Sequence, residues 1–246
     1  MLLEPEKFRL VVLDYPLHMI DEPFVRDLFC KMIKIKHVGY MTAYHPDVVP
    51  FDKTDFVGTH VTLCIENKKV FTPIFTYKTI SYDRCLKHVI EFPGLSLMKS
   101  DGDPSCVAKI ETILLENHLY PHHVVFDSGW AQDVHVRFAK DAALKNALRE
   151  IFIGCVVLQH QENDNTEVLG CGGKKVKTNL VLESMGFVPL GEHSTFFQSS
   201  LFGCEAVFFH CNQFSPFALA CAVKAKQMWQ EKLLIDGRKS SVRNAA

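Results

Sequence analysis

The chain has 246 residues, 48 % of them hydrophobic and 22 % charged, with a formal net charge of −1. That length and apolar content suit one globular domain burying roughly 70–75 % of its unfolded surface. The near-zero charge supplies no global basic field, so nucleic acid is not an expected partner.

The opening MLLEPEKFRLVVLDYPLHMIDEP has charges inside its apolar run and no small-residue cleavage site, so it does not read as a signal peptide. No stretch reaches the ~18 apolar residues of a membrane span, and a soluble, cytoplasmic protein is expected. Nine cysteines (30, 64, 85, 106, 155, 171, 204, 211 and 221) are scattered without a CxxC pair. They read as reduced, mostly packing thiols.

Phe8 to Leu13 predicts a strand. Asp21-Glu22-Pro23 opens a helix from Phe24 to about Lys36, with Phe24, Leu28, Met32 and Ile35 on one face and Arg26, Lys31, Lys34 and Lys36 on a solvated basic one. Tyr40 to Pro50 has two prolines and no period, which predicts a loop. His60–Glu66 and Val70–Thr79 predict a hairpin about the turn Asn67-Lys68-Lys69. Residues 81 to 109 give no clear assignment. Pro93-Gly94 and Ser100 to Pro104 punctuate a loop there, and Ser105 then caps a helix from Cys106 to Leu119.

Val124 to Asp127 predicts a strand, turned or bulged at Ser128-Gly129. It resumes from Trp130 to Arg137, where Trp130, Gln132, Val134 and Val136 alternate with polar residues. From Phe138 one long helix is expected to about Gln161. Val168-Leu169 then ends a strand at Gly170, Gly172 and Gly173. A helix follows from Lys174, and Gly186 closes it as a left-handed cap before Phe187-Val188 restarts a strand. His193–Ser199 and Cys204–His210 predict two more strands, and Ser215-Pro216 a last helix to about Leu234. Pro121 separates His118 from His122 and His123, and Cys204 and His210 face away from Cys211, so no metal site is expected.

The joint Leu182-Glu183-Ser184-Met185-Gly186-Phe187-Val188-Pro189-Leu190-Gly191 resembles the helix-to-strand joint of GNAT-fold acyltransferases. Arg26 near a helix start, a loop, and Asp52-x-x-Asp55 ahead of the first hairpin resemble one branch of that fold, the acyl-homoserine-lactone and long-chain N-acyl amino acid synthases.

The resemblance implies an α/β fold: a GNAT-like mixed, mostly antiparallel twisted sheet flanked by helices, with a splayed central strand. One domain would cover 1–235, with the acceptor side up to about 120, a donor-binding core at 121–212, a C-terminal helix at 216–234, and a polar tail at 236–246. It implies transfer of an acyl group from a thioester co-substrate, acyl-ACP or acyl-CoA, to a small-molecule primary amine such as an amino acid or a homoserine-lactone-type acceptor. No permanently bound cofactor is needed, and an acyl carrier protein is a candidate partner.

Asp52, Asp55 and Lys78 would hold the acceptor, with His60 or His135 relaying its proton. Backbone around Val134, Val136 and Arg137 would hold the donor. Lys140 and Ala142 fall in the run that binds pyrophosphate in coenzyme-A-using relatives, but Lys140 replaces its first glycine. The family's tyrosine acid is replaced by Leu182. Two other readings stand beside this one: a catalytically inactive GNAT-like binding protein, and a cysteine enzyme using Cys171 with a histidine such as His135.

Overall fold

A computed structural model of the chain describes residues 8–44, 48–49, 51–102, 104–191, 196–200 and 202–240. Strand β1, Phe8–Asp14, is buried along most of its length. Helix α1, Pro23–Ala43, starts at the expected proline but runs on past Lys36, so the stretch read as a loop from Tyr40 begins as helix. Residues 45–47 and 50 of that stretch lie outside the described residues. The buried stripe of α1 comprises Val25, Leu28, Phe29, Met32, Ile35, Lys36 and Ala43. Phe24, expected on that face, is 43 % exposed, and Val25 takes its place.

A single helical turn, α2 (Thr54–Val57), precedes the hairpin of β2 (Thr59–Asn67) and β3 (Val70–Ser81). Lys68 and Lys69 both adopt positive φ in its turn, as a tight hairpin requires. The unassigned region holds three helices: α3 (Tyr82–Lys87), α4 (Pro93–Asp101) and α5 (Pro104–Glu116). Pro93 and Pro104, read as loop punctuation, open α4 and α5, where a missing N–H costs nothing.

Strand β4, Val124–Gln132, stops short of the expected Arg137. The Asp133 side chain accepts the His135 N–H and caps the helical turn α6, Val134–Arg137. This corrects the donor-strand expectation for Val134, Val136 and Arg137. Asp141 likewise caps α7, Ala142–Glu162, which therefore begins later than Phe138. Strand β5, Glu167–Gly173, runs through the glycines instead of stopping at them. At Gly172 a Cβ would lie 2.7 Å from the backbone of Asn179, so glycine permits the approach of α8, Thr178–Met185.

Gly186 ends α8 at φ 101, as predicted. The short β6, Val188–Pro189, follows, then β7 (Phe197–Ser199) and β8 (Cys204–Cys211). The strand expected from His193 falls partly on residues 192–195, outside the described set. Helix α9, Pro216–Gln230, ends before Leu234. Leu233–Asp236 forms β9, and Gly237–Ser240 the turn α10, so the start of the expected polar tail belongs to the sheet.

Among the described residues the nine strands make one sheet, ordered β6-β8-β5-β4-β3-β2-β1-β9, with β7 paired to β8. Pairing is antiparallel except for β4 with β5 and β1 with β9. Helices α7, α8 and α9 cover one face over a core including Val61, Phe152, Val168 and Phe209. On the other face α1 packs over Val11, Leu13 and Cys64, and α4 and α5 over Ile80, Phe126 and Phe208. Fully burying each such side chain stabilises by about 1.5–3 kcal/mol.

Two features at the centre of the sheet prepare the site. Lys78 pairs with Ser128 and Thr76 with Ala131, so β4 carries an extra residue there, a bulge containing Gly129 at φ 65. The parallel ladder between β4 and β5 runs only from Val124/Glu167 to Asp127/Gly170. Beyond it the strands diverge, Ser128–Gln132 on one side and Cys171–Gly173 on the other. The splayed strand implied by the resemblance is present, and it lies upstream of Val134.

Candidate active site at the splayed strands

The splay opens onto both faces of the sheet. On the face carrying α1 and α4 is a cavity of about 630 Å³, bordered by Asp52, Lys78, Asp127, Ser128, Trp130 and Gly173. On the α7 and α8 face is a smaller groove of about 160 Å³, bordered by Phe75, Ala131, Phe152, Ile153, Val176 and Val181. Tyr40, Tyr44, Trp130 and Thr178 border both, so the two spaces meet at the splay. The Tyr44 hydroxyl lies 3.0 Å from where a Cβ at Gly173 would stand, which places it against the free end of β5.

Asp52 and Asp55 come together, but in different roles. Asp52 Oδ1 accepts the Thr54 N–H at 2.7 Å and the Thr54 hydroxyl at 2.5 Å, organising α2, while the Asp52 side chain stays 60 % exposed. Asp55 is fully buried, and two lysines occupy its oxygens: Lys36 Nζ on Oδ1 at 2.5 Å and Lys78 Nζ on Oδ2 at 2.8 Å. Burial alone would push the Asp55 carboxyl up. The Lys36 and Lys78 charges outweigh it and hold the group well below the usual carboxylate range. Asp55 is therefore a counter-ion already in use, whereas Asp52 presents a carboxylate to the cavity. Lys78 also donates to the Thr54 hydroxyl at 2.6 Å and approaches Asp52 at 3.4 Å.

Neither expected proton relay borders the cavity. His60 is fully buried and donates Nε2–H to the Asp55 carbonyl at 2.7 Å. Burial and the Lys36 charge push its imidazole down to about 3, so it is neutral at physiological pH. His135 is exposed on α6. Of the residues named for the donor, Arg137 borders the smaller groove and Val136 is buried. Lys140 and Ala142 are exposed at the start of α7, where the Asp141 carboxylate occupies the helix N-terminus.

Lys36, Asp127 and His160 were missed by sequence reasoning. Lys36, expected on a solvated basic face, is instead 0 % exposed, because it stands at helical spacing on the stripe Val25, Phe29, Met32. A Cβ at Gly129 would come within 2.9 Å of the Lys36 side chain, so the bulge glycine makes room for it. Asp127, the last β4 residue paired to β5, is 2 % exposed and lies 2.9 Å from His160 Nε2. Its isolated position in the sequence offered no signal for that pairing.

Cys171 also borders the cavity, but burial, with Cys204 and Asp101 adding to it, pushes its thiol up. A nucleophilic thiolate needs the opposite shift. Among the described residues no cluster of three or more metal-ligating side chains forms, and no helix is long and apolar enough to cross a membrane.

The two buried histidines predict opposite pH effects on stability. Folding lowers His60 from its ordinary value, so its contribution is complete above about pH 6.5 and is lost as pH falls from there towards 3. Burial would lower His160 too, but the Asp127 charge overcomes it and raises the imidazole. Its contribution is complete below about pH 6.5 and is lost as pH rises through the raised folded value. Urea midpoints between pH 4 and 9 are expected to fall less on the acid side in His60→Gln, and less on the alkaline side in His160→Gln, than in the wild type. Unchanged pH slopes in both variants would refute this assignment.

No family model and no curated protein matches the chain. Solved structures do share its fold. FeeM, an N-acyl amino acid synthase from uncultured soil microbes, is similar with a TM-score of 0.51 at 13 % identity, over 94 % of this chain and 97 % of that one. BjaI, a CoA-dependent acyl-homoserine lactone synthase, in its structure with SAM and isopentyl-CoA gives a TM-score of 0.53 at 12 % identity, over 96 % and 99 %. The implied mixed, mostly antiparallel GNAT-like sheet flanked by helices is the fold observed.

Proposed function

We propose that the chain is an N-acyltransferase that moves an acyl group from a carrier thioester to a primary amine. The observation that carries this reading is the splay itself, which joins a cavity bearing an exposed carboxylate to an apolar groove along the edge of Ser128–Gln132 that β5 leaves without a partner strand. Asp52 holds the amine, the groove between Phe152 and Val181 takes the acyl chain, and the thioester lies where the two spaces meet. In this reading a backbone N–H on that edge stabilises the developing oxyanion, a donor type worth about 3–4 kcal/mol of barrier. Leu182 lies in the core and cannot protonate the leaving thiolate. Tyr40 and Tyr44 border both spaces, and burial pushes both phenols up, Tyr40 further through Asp55 and Tyr44 further through Tyr40, so they remain protonated donors.

The start of α7 favours an acyl-carrier-protein thioester over acyl-CoA. Asp141 places a carboxylate at the helix N-terminus that a pyrophosphate would need, and Lys140 replaces the glycine that would let the backbone approach it.

Lipid extracts of bacteria expressing the wild type, Asp52→Ala or an empty vector test the reading by mass spectrometry. A new N-acyl amine is expected with the wild type and a loss of at least about 100-fold in the variant, within the range for a lost proton-transfer or positioning group. An undiminished product in Asp52→Ala would remove Asp52 from the reaction. Absence of product from folded wild type, with acyl-carrier protein and a panel of amines supplied in vitro, would favour a non-catalytic binding protein.

A further inference from the structure

Tyr44 closes α1 with its phenol at the splay. Its N–H donates to the Tyr40 carbonyl at 2.7 Å, and its own backbone is extended, which stops the helix there. The ring packs against two others, Tyr40 at 5.1 Å and Phe202 at 5.2 Å between centres, so packing sets its direction. It borders the cavity at Asp52 and the smaller groove alike. The hydroxyl stands against Gly173, past Gly170 where the β4–β5 ladder ends, on the edge of β5 that faces the gap.

That hydroxyl is uncommitted. It has no hydrogen-bond partner among the described residues and, unlike the Tyr77 hydroxyl, it is not sealed in the interior. An O–H that no protein acceptor takes adds nothing to the fold and is available to a ligand. Burial pushes the phenol up, with Tyr40, Cys204 and Cys171 adding to it against a smaller pull from Arg137, so the proton stays on oxygen through the neutral range. Tyr40 is less suited to meet a thioester. After burial, Asp55, Cys171 and Asp52 push its phenol up, which puts it beside the carboxylates on the amine side.

We propose that Tyr44 is a catalytic residue of the acyl transfer, the side-chain donor of an oxyanion hole whose other donor is a backbone N–H on the edge of Ser128–Gln132. This rests on the acyl-transfer reading above. The thioester lies across the gap between the strands, with its carbonyl oxygen met by an N–H from the β4 side and by the Tyr44 O–H from the β5 side. The amine nitrogen attacks the carbonyl carbon, and the C=O electron pair moves onto oxygen, which accepts both hydrogen bonds without taking a proton. The pair then returns, and the C–S bond breaks with its electrons going to sulfur. The nitrogen releases its proton to solvent, and the thiolate takes one up from solvent. A donor fixed by packing strengthens as charge develops on the oxygen and needs no reorganisation at that moment.

The test compares wild type with Tyr44→Phe, which removes the O–H and keeps the ring. kcat is expected to fall by about 100-fold, the loss typical of one oxyanion donor, with KM for amine and donor little changed. The urea midpoint should equal that of wild type, because no internal hydrogen bond is lost. The shape of kcat against pH should be kept between about pH 6 and 9, which separates a donor that holds its proton from a general acid that gives it up. Independently of turnover, an acyl-pantetheine amide labelled with 13C at its acyl carbonyl should show a C=O infrared band at higher frequency when bound to the variant, since a lost hydrogen bond stiffens the carbonyl. Gly173→Ala, whose methyl would press on the hydroxyl, should lower kcat in the same direction by less.

A Tyr44→Phe enzyme within about threefold of wild type in kcat, or an unmoved carbonyl band, overturns the assignment while leaving acyl transfer standing. A loss that falls on KM or on the urea midpoint instead of kcat does the same. A wild type inactive towards every amine and donor supplied overturns the acyl-transfer reading, and this assignment with it.

Discussion

Asp55→Ala is expected to destabilise the fold by about 3–5 kcal/mol, the cost typical of removing one partner from a buried ion pair. The Asp55 carboxylate is fully buried and supports two lysines, Lys36 at 0 % and Lys78 at 6 % side-chain exposure. Without it both ammonium groups lie in the interior with no carboxylate between them, and α1 loses its ion pair to Asp55 while keeping its apolar packing on the sheet. Asp52→Ala supplies the contrast. Asp52 is 60 % exposed and its 3.4 Å contact with Lys78 is loose, so the expected cost is about 1 kcal/mol or less. Urea unfolding of both variants at pH 7 checks the pair of values. Near-equal losses would mean that Asp55 is not the counter-ion of the cluster. Adding Lys36→Met to Asp55→Ala should recover part of the loss, since one of the two stranded charges is then replaced by an apolar side chain of similar length.

Val181→Trp is expected to abolish donor use while leaving the fold intact. Val181 is half-buried on α8 and borders the smaller groove opposite Phe75 and Phe152. The groove holds about 160 Å³, and an indole at its wall takes most of the room an acyl chain would need. Calorimetry with a non-cleavable acyl-pantetheine amide should show binding weakened by at least about 100-fold, near 2.7 kcal/mol. The cavity at Asp52 lies on the opposite face of the sheet, so the carboxylate there should be undisturbed. Unaltered donor binding and turnover in the variant would mean that the acyl chain lies elsewhere, and would undo the two-sided reading of the splay. Asp52→Ala should do the reverse, keeping donor binding and losing product.

Much of the architecture was legible in local chemistry. Pro23, Pro216 and Gly186 mark helix ends because their backbones tolerate the geometry required there, and the hairpin turn at Lys68 and Lys69 was bounded by two apolar runs. The alternating run from Trp130 to Arg137 was misleading. Alternation is also compatible with a strand that stops at Gln132 and a turn capped by the Asp133 side chain, and a capping hydrogen bond leaves no period in the sequence. Leu233–Asp236 was likewise read as the end of a helix and the start of a tail. Its place beside β1 depends on a partner more than two hundred residues away in the chain.

The sequence by itself determined the α/β class, the order of the central elements, and the pairing of a DxxD turn with the first hairpin, because periodicity, caps and turn residues act over a few neighbouring positions. Only the tertiary structure decided which charges are available for chemistry. Asp52 and Asp55 are indistinguishable in a DxxD spelling, yet one is exposed and the other is saturated by lysines from α1 and β3. Asp127 and His160, thirty-three positions apart, become a pair because β4 and α7 pack face to face. Burial, partner and accessible direction set what a carboxylate does, and all three are created by long-range packing.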